Sequence, residues 1–111
     1  MKIPNNEQSI VAENKITNYL LSQIHEIGKH KAFFFNRFGY NLNNINEFKN
    51  ALLQHAIERE IAQTQNSDFG CKYVLKCNLQ TPDNRNPCIV SVWIIEKGNQ
   101  NPTLVTAYPD K

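Results

Sequence analysis

Two histidines, two lysines, a glutamate and a glycine crowd into seven residues, HEIGKHK, from His25 to Lys31. An H-E-x-x-H zinc helix sets its histidines four apart on one face, with the glutamate beside them. Here His30 follows His25 by five, which turns the two rings about 140° apart on a helix. Gly28 between them is a poor helix-interior residue. Cys71, Cys77 and Cys88 form no C-x-x-C pair, and Pro87-Cys88 is followed by Ile-Val-Ser, not by the second cysteine of a zinc deaminase. No metal site and no cofactor are expected.

The same residues suit a reaction that needs no metal. RNA carries its own nucleophile, the 2′-hydroxyl. An enzyme that cleaves it must take that proton, protonate the leaving 5′-oxygen and hold the phosphate while charge builds. Two groups titrating near neutrality and one or two fixed cations suffice. His25 is expected to be the proton-transfer group and Lys31 the phosphate cation, with Gly28 bending the chain so that both reach one place. A helix mouth there would also offer backbone N–H groups to a phosphate. Lys72, Thr106 and Tyr108 complete the expected catalytic set. Lys72 leaves its strand on the side opposite Tyr73, and Thr106 and Tyr108 share one strand face. Arg85, Lys29 and His30 are expected to bind RNA.

Each residue also has a plainer reading. His55 lies beside the apolar stripe of a helix and reads as a hydrogen-bonded structural histidine before a catalytic one. Lys31 could lie over neighbouring phenylalanines with its ammonium in water. Arg85 could brace its turn. Trp93 belongs to a core before it belongs to a stacking platform, and Thr106 and Tyr108 are good strand formers. Neither Cys71 nor Cys88 shows the helix start or adjacent histidine that activates a thiol.

The elements that must position these groups fall into two halves. Ile16, Tyr19 and Leu20 give helical spacing to Lys15–Ser22, and KHKAFFFNRF, residues 29–38, reads as a second helix stopped by Gly39. A third, capped by Asn44 or Asn46, carries Phe48, Leu52, Ala56 and Ile57 on one stripe and should run to about Ala62. Strands follow: a weak one over Ile61–Gln65, then Cys71–Leu79 with Tyr73, Leu75, Cys77 and Leu79 on one side. Cys88–Glu96 is apolar on both faces, and Thr103–Tyr108 is last. TPDNRNP and GNQNP are turns. The expected architecture is α+β, with three N-terminal helices packed on one face of a three- to four-stranded antiparallel sheet. The chain reads as one domain: a partly flexible segment over 1–14, a helical half over 15–62 and a sheet half over 63–109.

The 111 residues suffice for a single core, and 41% hydrophobic content excludes disorder. The net charge of +2 is mild, with a basic front and back around an acidic middle. The N-terminus lacks the apolar region of a signal peptide, and no apolar run reaches membrane-spanning length. A cytoplasmic protein with three reduced cysteines is expected; a domain excised from a larger exported protein would read the same.

The order of motifs is itself informative. Lys15-Ile16-Thr17, Tyr19-Leu20-Leu21, His25, Gly28, Lys31-Ala32, Phe34-Phe35, Leu52-Leu53, His55-Ala56, Phe69-Gly70, Lys72-Tyr73, Thr81-Pro82, Arg85, Val92-Trp93-Ile94 and Leu104 to Pro109 follow one another as in a family of uncharacterised bacterial domains, which the chain resembles from about Lys15 to Pro109. Glu26, Asn78 and Asn84 depart from that pattern, where proline and glycines are usual. The layout is also similar to the metal-independent ribonuclease toxins of the barnase, EndoU, colicin tRNase and RelE group. That resemblance implies a small ribonuclease, the toxin of a toxin–antitoxin or polymorphic toxin system, with RNA as substrate and a small cognate antitoxin or immunity protein as partner. The alternative is a non-catalytic module that binds protein or nucleic acid through the same basic residues.

Overall fold

The computed structural model describes residues 1–21 and 28–110, and of residues 28 and 29 the backbone only. After a short 3₁₀ turn at Asn6–Gln8, α1 (Glu13–Lys15) continues as a π-helical stretch, Ile16–Leu20. There Leu21 N–H reaches back five residues to the Ile16 carbonyl, at 2.8 Å. Helix α2 (Gly28–Arg37) and helix α3 (Ile45–Glu58) follow, then strands β1 (Ile61–Ser67), β2 (Gly70–Asn78), β3 (Cys88–Glu96) and β4 (Thr103–Pro109). The strands form one antiparallel sheet in chain order, β1-β2-β3-β4. The fold is thus α+β, with helices preceding a four-stranded antiparallel sheet.

Helix α2 stops where the sequence says it should. Gly39 adopts φ 105°, its N–H bonds to the Asn36 carbonyl, and Tyr40 N–H bonds to the Phe35 carbonyl. This is the paired closure that a left-handed residue after a helix permits. Helix α3 ends four residues earlier than the expected Ala62. Arg59 is already extended, and Ile61 N–H donates to the Met1 carbonyl at 2.7 Å, so pairing with the N-terminus and with β2 captures the residues a further turn would need. Asn44 stands at the start of α3 without capping it through its side chain. Its amide instead ties the preceding loop, accepting from Asn41 N–H and donating to the Gly39 carbonyl, each at 2.8 Å.

Among the described helices, α3 is the one that packs against the middle strands, β2 and β3. Its Phe48, Leu52 and Ala56 are fully buried against a face that presents Leu75, Ile89, Trp93 and Ala107. Helix α2 meets the sheet at β4, and its Phe35 closes the core against Phe48, ring centroids 4.7 Å apart. Residues 1–14 also contribute: Ile3 and Val11 are buried, and Ile10 bridges β4, accepting from Leu104 N–H and donating to the Pro102 carbonyl. Cross-strand register puts Lys72, Val74, Val90, Val92, Ile94, Thr106 and Tyr108 on the opposite face, away from α3. A bulge between Val92 and Trp93 restores the alternation of β4 after Val105.

His55 is held at the centre of this core. Its Nε2 lies 2.6 Å from the Cys77 carbonyl, which only accepts, so Nε2 carries the proton. Nδ1 then accepts from the Ser91 hydroxyl at 2.8 Å, and that hydroxyl accepts from Trp93 Nε1–H at 2.9 Å. Neutral His55 satisfies every member of the chain; a protonated ring would take away the acceptor of the Ser91 hydroxyl hydrogen. Burial, outweighing the Cys77 hydrogen bond, and the nearby Arg59 charge push its pKa down to about 4. The unfolded chain takes up this proton below about pH 6.5, whereas the fold resists it until about pH 4. Stability should therefore fall as pH drops through that window, by about 3 kcal/mol. Urea midpoints at pH 7 and 4.5 should show the drop, and His55→Gln should flatten it; an equal slope in both proteins would assign the loss to other groups.

The cysteines correct one expectation. Cys77 and Cys88 are joined in a disulfide, their Cα atoms 3.8 Å apart, and Cys71 is the free cysteine among the described residues. The register that faces Asn78 with Cys88, together with a positive φ of 97° at Cys77, brings the two sulfurs together. Among the described residues, no helix is long and apolar enough to cross a membrane.

Candidate active site

The π-helical stretch, α2 and β4 converge on one small cluster. Tyr19 projects from the first, Lys31 from the second, and Thr106 and Tyr108 from the third. The Tyr19 hydroxyl lies 3.2 Å from Thr106 Oγ1. Lys31 Nζ sits 5.3 Å from the centre of the Tyr19 ring and 5.9 Å from that of Tyr108, and Lys15 Nζ lies 5.5 Å from the Tyr19 ring. Burial opposes ionisation of Tyr19. Hydrogen bonds from Thr106 and Lys31, and the charges of Lys31 and Lys15, outweigh it and hold the phenol below its ordinary pKa of 10. The arrangement offers an acidified hydroxyl and a fixed ammonium to one reacting group.

Beside the cluster runs a groove of about 760 Å³ between α2 and the β3–β4 end of the sheet. His30, Lys31 and Arg37 line its α2 wall with Phe33 and Phe34, and Tyr108 and Asp110 line the other. Phe33 is 67% exposed and Tyr108 38%. Three basic side chains against one carboxylate, with aromatic rings facing solvent, describe a surface suited to phosphates and bases together.

The residues expected from sequence distribute as follows. Lys31, Thr106 and Tyr108 come together. His30 lies exposed along the same groove. Lys72 shares the sheet face of Thr106 but stands towards the other end of it, opposite Gln65 and Ile94. Arg85 is engaged by its own turn: its Nε meets Asp83 at 2.5 Å, its guanidinium donates to the Arg37 carbonyl at 2.6 Å and covers the Phe38 ring. His25 lies outside the described residues, and of Lys29 only the backbone in α2 is described. Tyr19 is the member that sequence reasoning missed. Its place between Ile16 and Leu20 reads as core, and the one signal for it is Lys15, four residues earlier on the same helical face.

A possible ion site follows from distance alone. Cys77, Cys88 and Asp110 form one group, among the described residues, close enough to share a metal ion. The disulfide occupies both sulfurs, so the thiolates that such an ion requires are not available there.

Comparison with known proteins agrees with this geometry at the level of fold. No curated protein sequence matches the chain significantly. Among solved structures, a chain of a "contact-dependent growth inhibition toxin - immunity protein complex from Klebsiella pneumoniae 342" superposes with a TM-score of 0.73 at 14% identity, covering 96% of this chain and 97% of that one. Residues 2–111, almost the whole length, match a domain of unknown function, DUF6883, and the chain belongs to that family.

Proposed function

We propose that this protein is a metal-independent ribonuclease that serves as a toxin and is restrained by a small immunity or antitoxin partner. The observation that carries the reading is the convergence of Tyr19, Lys31, Thr106 and Tyr108 at the mouth of a basic, aromatic-lined groove. The fold of a chain from a toxin–immunity complex supports the toxin role, and half-buried Lys31 and exposed Arg37 beside exposed rings favour RNA as the substrate.

In the proposed reaction the RNA 2′-oxygen attacks the adjacent phosphorus and the bond from phosphorus to the 5′-oxygen breaks. His25, three residues before the helix that carries Lys31, takes the 2′-hydroxyl proton. Tyr19, acidified by its lysines, gives its proton to the departing 5′-oxygen. Lys31 holds the phosphate oxygens as charge builds on them. The products are a 2′,3′-cyclic phosphate and a free 5′-hydroxyl. Thr106 orients the Tyr19 hydroxyl, and Tyr108 backs Lys31 through a cation–ring contact.

Induced expression in a bacterial host should arrest growth and fragment cellular RNA. The purified protein should cleave RNA undiminished by chelator and leave cyclic phosphate ends. A folded protein that binds RNA and leaves it intact would instead identify a non-catalytic binding module.

A further inference from the structure

A second cleft lies on the sheet face that α3 leaves uncovered, beyond the cluster around Lys31. It has a volume of about 670 Å³ and is lined by Gln65, Asn66, Ser67, Phe69, Lys72 and Ile94. Phe69, at the β1–β2 turn, is 79% exposed, a large apolar ring with nothing over it that the core requires. Seating it there is a tight turn: Gly70 has φ 146°, and a Cβ on it would fall 2.3 Å from the Ile95 carbonyl oxygen, so the chain passes too close to β3 for any side chain. Ser67 Oγ accepts from Phe69 N–H at 3.2 Å and donates to the Gly70 carbonyl, which fixes the turn further.

The cleft therefore holds a ring for stacking, a lysine for a phosphate, an apolar floor at Ile94 and the primary amide of Gln65, which faces Lys72 across the strands. That amide both donates and accepts, as the edges of unpaired bases do. Cross-strand register ties it to the groove. Lys72 faces Ile94, while Tyr108 faces Val90 four residues along the same strand, a separation of roughly 13 Å. The face between them presents half-buried Val74 and Val92, and the acidic residue of those two strands, Glu96, stands beyond Ile94 at the end of β3, opposite Gly70.

We propose that this cleft is a second nucleotide subsite, taking an unpaired base and its phosphate several nucleotides from the bond that is cut. The substrate is then a single-stranded stretch of RNA laid along the sheet face opposite α3, with Phe69 stacking the distal base and Lys72 meeting its phosphate. This rests on the ribonuclease reading above for the cut, though not for the binding. Paired bases cannot stack on a protruding ring without leaving the duplex, so single strands are selected over double ones.

Fluorescence anisotropy with a short single-stranded deoxyoligonucleotide, which lacks the 2′-nucleophile, tests binding without cleavage. Phe69→Ala should weaken it roughly 5- to 100-fold, and Lys72→Ala should lower the slope of log affinity against log salt by about one. On a dinucleotide substrate, too short to reach the cleft, Phe69→Ala should cut as fast as the parent, while on longer RNA its KM should rise. Unchanged oligonucleotide binding in Phe69→Ala, a duplex bound as tightly as the single strand, or equal loss on the dinucleotide would each overturn the subsite. Tight, Phe69-dependent binding by a parent protein that cuts nothing would keep the subsite and discard the ribonuclease.

Discussion

Lys31→Ala should lose roughly 10²- to 10³-fold in RNA cleavage, the scale of removing one preorganised donor from a developing oxyanion. It should do so with little change in melting temperature. Lys31 is half-buried, and its contacts are a hydrogen bond to the Tyr19 hydroxyl and the rings of Tyr19 and Tyr108, cation–ring contacts worth about 0.5–2 kcal/mol. Lys31→Arg keeps the charge but not the point geometry, and should recover binding better than rate. His25→Ala should fall by roughly 10²- to 10⁴-fold, as expected for a general acid or base. Tyr19→Phe removes the acidified hydroxyl and keeps the ring under both lysines, so it separates proton transfer from packing. Full activity in Lys31→Ala, measured as initial rate on a labelled RNA at saturating substrate, would dismiss the cluster as the seat of chemistry.

The second large effect is on the fold. Trp93→Ala should destabilise by about 3–5 kcal/mol and Leu52→Ala by about 2–5 kcal/mol. Both side chains are fully buried, one on β3 and one on α3, where the helix crosses the sheet. Trp93 carries an added cost, since its indole N–H is the donor that completes the Ser91–His55 chain. Urea unfolding should give lower midpoints with an unchanged slope. Parent-like midpoints in both variants would mean that α3 and β3 do not share a core.

The strands were legible because period-two patterning and turn chemistry act over a few residues. Cys88–Glu96 has the bounds its apolar run predicts, and Gly39 ends α2 as its missing side chain allows. His55, read as structural from its place beside an apolar stripe, is buried with both ring nitrogens engaged. What sequence could not supply was register. Tyr19 pairs with Thr106 across 87 residues, and no local pattern states which hydroxyl meets which. The disulfide depends on the alignment of β2 with β3 and on an irregular backbone at Cys77, so a spacing of 11 residues between cysteines said nothing by itself. The same holds for Lys72. Alternation gave its face, and only the paired strands show how far along that face it stands from Thr106.

Strand order follows chain order, and this bears on the sequence of events in folding. Each strand finds its partner through the next turn, so the sheet can assemble by short loop closures that cost little entropy and proceed fast. The contacts that complete the site are of the other kind: Ile10 to Leu104 and Tyr19 to Thr106 join opposite ends of the chain. Those closures reward the chain only once β4 is in place to receive them. The Tyr19–Thr106 cluster is then the last part of the fold to form on refolding, lagging the spectroscopic signal of the sheet.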